Sequence, residues 1–236
     1  MSVWAPKRFW KQSTVTEADG GYGIALDGRP VKTPAKAPLI VPTRALAEAL
    51  AAEWDAQQDT VRPETMPATR AANAAIDKVR PQRAEVAELI AAYGGTDLLC
   101  YRAERPAELI ALQAEGWDPL LDWFEGAFGV RLVVTEGVVP VAQPEGLAAV
   151  AAHVGGLDEW QLSALHDLVG LTGSLVLGLA VAAGRLTAED AWTLSRIDED
   201  WQSAQWGADE EAQEHAALRR AALLDAGRFW TLRHTG

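Results

Sequence analysis

Residues 13–33 read STVTEADGGYGIALDGRPVKT, and this stretch sets the fold class. Ser13 to Glu17 alternates β-branched residues with others, as a half-buried strand does. Asp19-Gly20-Gly21 supplies residues that tolerate positive φ and signals a tight turn. Tyr22 to Leu26 follows as a second strand. Asp27-Gly28 is a second hairpin turn that leads into Arg29 to Thr33. Leu39 to Val41 adds a short apolar segment between Pro38 and Pro42, where a strand end tolerates a missing N–H. The result is a small antiparallel meander.

Beyond the meander the apolar period changes from two to 3.6. Thr43 has the chemistry of an N-cap, and Leu46, Leu50 and Trp54 recur at helical spacing over Arg44 to Gln57. Met66 to Asp77 is helical in pattern. Pro81 opens the next helix, with Val86, Leu89, Ile90 and Tyr93 as its buried stripe and Gly94-Gly95 as its stop. Asp97 to Arg102 is a short connector. Pro106 opens a helix through Leu109, Leu112 and Gln113, which Trp117-Asp118-Pro119 is expected to break before a second begins at Leu120. Arg131 to Thr135 has the pattern of one more strand, and Gly146 to Val154 that of a helix. Asp158 caps a long apolar helix reaching about Ala183, stopped by Gly184. Thr187 with Asp190 resembles a capping box for a helix towards Gln205. Gly207 breaks that helix, and Asp209 to Ala226 is the last. The fold class is therefore α+β, with a small antiparallel β-rich N-terminal domain over residues 1–78 and a mostly α-helical C-terminal domain over 79–236.

With 236 residues, 49% of them apolar, the chain fits one large or two small domains with a sizeable core. A net charge of -12 argues against nucleic acid and anionic membranes as partners. The single cysteine, Cys100, has no internal partner and lies in DLLCY, where it reads as a buried, inert thiol of a reducing compartment. The first residues, MSVWAPKRFWKQ, lack the apolar core and cleavage site of a signal peptide. The longest uncharged run, Leu168 to Gly184, contains Thr172, Ser174 and three internal glycines. It reads as a buried helix whose small residues permit close approach, not as a bilayer span, which needs about 20 apolar residues.

Catalytic templates are missing from the sequence: it has no GxSxG, no GxxxxGK[ST] and no HExxH. Gly173-Ser174 reads as a packing contact within an apolar helix, and His166 as a hydrogen-bonded core histidine. Residues 196–215, RIDEDWQSAQWGADEEAQEH, are different. Asp198, Glu199, Asp200, Asp209, Glu210, Glu211 and Glu214 fall there with Trp201 and Trp206, and no positive charge lies between Arg196 and Arg219. A solvated helix face usually interleaves Lys or Arg at i+4. Two readings stand. One is a docking surface for a basic, partly apolar partner; the other is an acidic helix pair whose tryptophans face the core. EF-hand spacing is absent, so no metal, cofactor or catalytic residue is expected.

Four further blocks stand in order along the chain. The first is Arg8-Phe9-Trp10-Lys11 followed by Leu26-Asp27-Gly28-Arg29-Pro30-Val31-Lys32-Thr33-Pro34. The second is Ala52-Glu53-Trp54-Asp55-Ala56-Gln57 with Met66-Pro67-Ala68-Thr69. The third is Asp97-Leu98-Leu99-Cys100-Tyr101-Arg102 with Trp117-Asp118-Pro119, and the fourth runs from Leu194 to Gln202 and on to Gln205-Trp206-Gly207. In combination these blocks resemble the family of assembly chaperones for the α subunit of the F₁ sector of ATP synthase, in its bacterial form, and the resemblance implies a β-rich domain followed by a helical one. It also implies a non-enzymatic chaperone that covers the β-facing surface of a free α subunit until the ring assembles, without a cofactor. The family's functional positions fall on Trp54 and the Asp198-Glu199 pair, and the candidate partner-binding set is Trp54, Asp198, Glu199, Asp200, Gln202 and Trp206. Core packing and partner contact both account for Trp54, which is in register with Leu46 and Leu50. Glu199 either meets a partner's cation or pairs with Arg196 or Arg219 of its own chain. Arg8, Phe9 and Trp10 are either an arm or the first sheet edge. The expected molecule is a cytoplasmic protein, monomeric when free; a carboxylate-based hydrolase and a general holdase are the alternatives.

Overall fold

The structure, a computed structural model, describes residues 7–207 and 209–235. The chain divides into two compact units. The first runs up to Arg83 and includes Asp158–Ala164 and the segment from Arg228; the second holds Ala84–Leu157 and Leu165–Gly227. Two stretches that the sequence groups with the helical part thus join the β-rich unit. Their apolar side chains explain this: Trp160, Ala164 and Phe229 are buried in the same cluster as Ile24, Leu46 and Leu50.

The meander forms as its sequence predicts. Strands β1 (Ser13–Ala18) and β2 (Gly21–Leu26) pair antiparallel with Val15 opposite Ile24. Asp27 and Gly28 both take positive φ, the requirement of a two-residue hairpin turn, and the chain returns as β3 (Arg29–Pro30). Strand β4 (Ile40–Val41) pairs with the other end of β2. Gly21 permits this crossing: a Cβ there would lie 2.2 Å from the Val41 carbonyl oxygen. Helix α1 (Arg44–Asp55) covers the sheet with Leu46, Ala47, Leu50 and Ala51, and Thr43 caps it by accepting the Leu46 N–H. Helix α2 (Pro67–Ala74) continues into a π-helical turn, Ala75–Val79, before α3 (Arg83–Ala92). In α3 the buried positions are Ala87 and Ile90, and Leu89 faces outward.

The helical unit departs from its sequence pattern at several joints. Helix α4 (Ala107–Phe128) runs unbroken through Pro119. Both Pro119 and Glu115, whose carbonyl the missing N–H leaves free, are exposed. The lost bond thus falls on the solvent-facing side, where it costs least, while buried Trp117, Leu120, Leu121 and Phe124 hold the helix in place. Of the strand expected after Arg131, only β6 (Thr135–Glu136) forms, parallel to β5 (Tyr101–Arg102). Helix α5 (Leu147–Gly155) follows.

The long apolar helix is two helices, α6 (Glu159–Thr172) and α7 (Leu175–Ala182). Gly173 breaks it at φ +72, and Ser174 caps α7 by accepting the Leu177 N–H. The buried Asp97 carboxylate completes that cap. It accepts from Ser174 Oγ at 2.7 Å and from Val176 N–H at 3.0 Å. His166 is exposed and hydrogen-bonds Asp167, so it is not a core histidine. Helix α8 (Ala188–Ser195) has the reciprocal Thr187–Asp190 capping box. Arg196 then leaves helical geometry, so α9 (Ile197–Trp206) is a separate helix. Helix α10 (Glu210–His234) extends eight residues past the expected end.

Candidate functional site

Helix α9 carries most of the candidate residues, and α4 fixes which of them point outward. Gly116 of α4 lies so close to α8 and α9 that an added Cβ would meet Leu194 Cδ2 at 2.9 Å and Ile197 Cδ1 at 3.0 Å. Trp117 Nε1 donates to the Leu194 carbonyl at 2.8 Å. Gln113 Nε2 donates to Asp198 Oδ1 at 2.6 Å. These contacts set the rotation of α9 about its axis. Asp198 is half-buried, and Glu199, Asp200, Gln202 and Trp206 are exposed.

The three carboxylates of the first turn, Asp198, Glu199 and Asp200, sit where unpaired N–H groups favour negative charge. Glu210 and Glu211 occupy the same position on α10. The repulsion that the sequence implies is thus offset by both helix N-termini. Arg196 stacks on the Trp192 ring at 5.2 Å and pairs with Asp200 at 3.2 Å. Arg219 donates to the Leu171 carbonyl. Glu199 therefore has neither of the internal cations open to it, and no ion pair among the described residues. A cleft of about 310 Å³ between α9 and α10 is lined by Arg196, Asp200, Ser203, Asp209 and Arg220. Arg220 is held at its edge by two bonds to Glu189.

Of the described tryptophans, Trp206 alone is exposed, at 81%. Trp201 is half-buried. The tryptophan excess is thus mostly core, and Trp206 at the end of α9 is the exception. Among the described residues no group of three or more His, Cys, Asp or Glu side chains is placed to hold a metal ion, and no helix is long and apolar enough to cross a membrane.

Trp54 lies in the other unit. Around it nearly every polar residue of its block has a structural task. Glu53 accepts the Ala68 and Thr69 N–H groups and so caps α2. Asp55 accepts the Ser13 N–H at 2.8 Å. Gln57 accepts the Arg62 N–H and donates to the Glu53 carbonyl. Arg8 donates to the Asp55 carbonyl at 2.8 Å and also to that of Gln57. The Arg8-Phe9-Trp10 segment is therefore pinned to the end of α1. Trp54 is half-buried, edge-on to Trp10 at 5.2 Å, and its Nε1–H has no acceptor among the described residues. Core packing holds for the ring and not for its polar atom.

The third block is likewise structural. Burial pushes the Asp97 carboxyl up to about 6, against the lowering effect of its N–H and Ser174 partners. Burial and Asp97 together push the Cys100 thiol up to about 12, which makes it an inert, buried group. Arg102 stacks on Trp117 and pairs with Asp118 at 2.8 Å. Two residue sets escape sequence reasoning. Gln113, which orients α9, carries no local signal. Lys7, Phe9, Arg29 and Lys32 line a groove beside Trp54; their signal is a cluster of cations in a strongly acidic chain.

An outward acidic face ended by an exposed indole suits the holding of another polypeptide, and comparison with known proteins places the chain among chaperones. The family description "ATP12 chaperone protein" matches residues 7–125. The mitochondrial protein atp12 of Schizosaccharomyces pombe is 31% identical over 221 residues, covering 88% of this chain and 76% of that protein. The chain belongs to the ATP12 chaperone family. Crystallographic relatives include Atp12 from Paracoccus denitrificans, 51% identical with a TM-score of 0.94 over 97% of this chain and 98% of that one. An aspartate-to-lysine mutant of the same protein matches equally well. The Atu1473 protein of Agrobacterium tumefaciens is 46% identical with a TM-score of 0.89, covering 94% of this chain and 85% of that one. The α+β architecture is shared with them.

Proposed function

We propose that this chaperone holds the free α subunit of the F₁ sector of ATP synthase and masks its β-facing surface until assembly. Its family membership gives the chaperone role, and the resemblance of its four sequence blocks supports α as the partner. The observation that supports the acidic face as the contact is Glu199: it projects from a helix whose rotation is fixed, with no internal cation engaged. Charge-assisted hydrogen bonds from a basic patch on α would complete it. Asp200, Gln202 and Trp206 extend the same face, with the indole as its apolar anchor. Asp198 belongs to the set through its hold on Gln113.

The protein works as a cytoplasmic monomer without nucleotide, cofactor or metal, and it makes and breaks no bonds. β displaces it by burying the same surface on α with greater area.

Co-expression with α alone tests this reading. Soluble α that co-elutes with the chaperone, and loss of co-elution with Glu199→Lys, are the expected results. Equal solubility of α with and without the chaperone refutes it. Equal rescue of an unrelated aggregation-prone chain would mark a general holdase instead.

A further inference from the structure

The β-rich unit has a groove of about 260 Å³. Its walls include Phe9, Trp10, Trp54 and Val31. Phe9 stands edge-on to Trp10 at 5.2 Å, and Trp10 edge-on to Trp54 at 5.2 Å. Phe9 is 65% exposed although it belongs to this aromatic series. The indole N–H groups of Trp10 and Trp54 are both buried and both lack an acceptor among the described residues, an uncommon state for native donors.

The charge at the groove is the reverse of that of the whole chain. Lys7, Arg29 and Lys32 line it, and no Asp or Glu does, although the protein carries -12. None of these three cations forms a salt bridge among the described residues; Arg29 adds only to the field that, after two backbone N–H bonds, holds the Asp27 carboxyl low. The carboxylates nearest in sequence to Trp54 are committed elsewhere, Glu53 to α2 and Asp55 to Ser13.

We propose that this groove seats an extended segment of a partner polypeptide that alternates apolar side chains with carboxylates. The size fits one or two side chains and lies below the roughly 300–1,000 Å³ of small-molecule sites. Three unpaired cations attract carboxylates and disfavour a basic segment. The Trp10 and Trp54 rings line the groove and give the occupant's apolar side chains a wall to pack against. Strand addition is not the mode, because the neighbouring edge strand β3 has two residues and one is Pro30, without an N–H. The inference does not rest on which subunit the acidic face of α9 holds: the two surfaces select opposite charges.

Two blocked octapeptides of equal apolar content, one alternating Leu and Glu and one alternating Leu and Lys, test it on the full chain. The readout is the NMR signal of the indole N–H groups, assigned through Trp10→Phe and Trp54→Phe. The Leu–Glu peptide is expected to shift both indoles, less so as salt rises, and the Leu–Lys peptide to leave them unmoved. Arg29→Glu with Lys32→Glu, both at exposed positions, should weaken the Leu–Glu peptide about tenfold with an unchanged melt. Equal effects of the two peptides on these indoles overturn the proposal, and so does full affinity in the double variant. Indole shifts that grow with protein concentration alone would identify a second copy as occupant and overturn it as well. Should the double variant unfold, the salt series and the peptide pair on the unaltered chain still decide.

Discussion

Gln113 donates from Nε2 to Asp198 Oδ1 at 2.6 Å and accepts the Ala103 N–H at 2.8 Å on its other end. One buried amide thus ties the segment before α4 to the first turn of α9. This bond divides the acidic block into two kinds of carboxylate. Asp198 positions the helix, and Glu199, the next residue, is free to meet a partner.

Gln113→Leu should lower stability by about 1–3 kcal/mol, because it strands the half-buried Ala103 N–H and the half-buried Asp198 carboxylate. Asp198→Ala should lower it in the same direction. Glu199→Ala should stay within about 0.5 kcal/mol of the parent. Urea midpoints at fixed slope measure all three. Equal losses at Asp198 and Glu199 would remove the distinction between them.

Glu199→Lys with Gln202→Lys should leave the melt nearly unchanged and weaken the capture of α by about tenfold or more, with a smaller salt dependence than the parent. Titration of immobilised α at two salt concentrations reads both quantities.

Asp97 gives a pH dependence whose sign is fixed. Its carboxyl is raised to about 6 in the folded chain, whereas an unfolded Asp titrates near 3.9. Between those values the folded state binds more protons, so stability falls as pH rises through this window, by about 3 kcal/mol in total. It is regained on acidification from about 6 towards 4. In Asp97→Asn this component disappears, even though the new amide N–H₂ faces the Val176 N–H and lowers stability overall. Melts of parent and variant at several pH values give the difference, and parallel curves would refute the assignment.

Glu53→Ala should cost about 1 kcal/mol, with a range of roughly 0.5–2, because the first N–H groups of α2 lose their acceptor. Glu53→Gln should recover part of the loss. Hydrogen exchange at Ala68 and Thr69 localises the effect.

Gly178→Ala should cost about 1–3 kcal/mol as an overpacked contact. The new Cβ would lie 2.4 Å from Val169 Cγ2 and 3.3 Å from the Val169 backbone nitrogen. Thermal denaturation checks this, and a neutral result would mean that α6 and α7 can separate at little cost.

The meander, the Thr43 cap and the Thr187–Asp190 box were legible because each depends on residues a few positions apart. The joints that sequence pattern misplaced depend on distant partners. Residues 168–183 are apolar on every face, so their periodicity contains no phase at which to place a break. The break is set by Asp97, which lies 77 residues before Ser174. Pro119 signalled an interruption that two exposed positions absorb. On α9 the count of carboxylates was visible, and their directions were not, because Gln113 fixes them from 85 residues away. At Trp54 the register with Leu46 and Leu50 was compatible with packing and with partner contact; the ring's place against the core and its orphaned indole nitrogen could be seen only in three dimensions.

The hydroxyl of Thr43 donates to the Leu232 carbonyl at 2.7 Å, and Arg233 pairs with Asp158 at 2.5 Å. Because Phe229 is sealed into the same cluster as the first strands, a nascent chain cannot close the core around its hairpin until residue 229 has left the ribosome. The β-rich unit, begun first, is therefore completed only after residues 84–227 have been made.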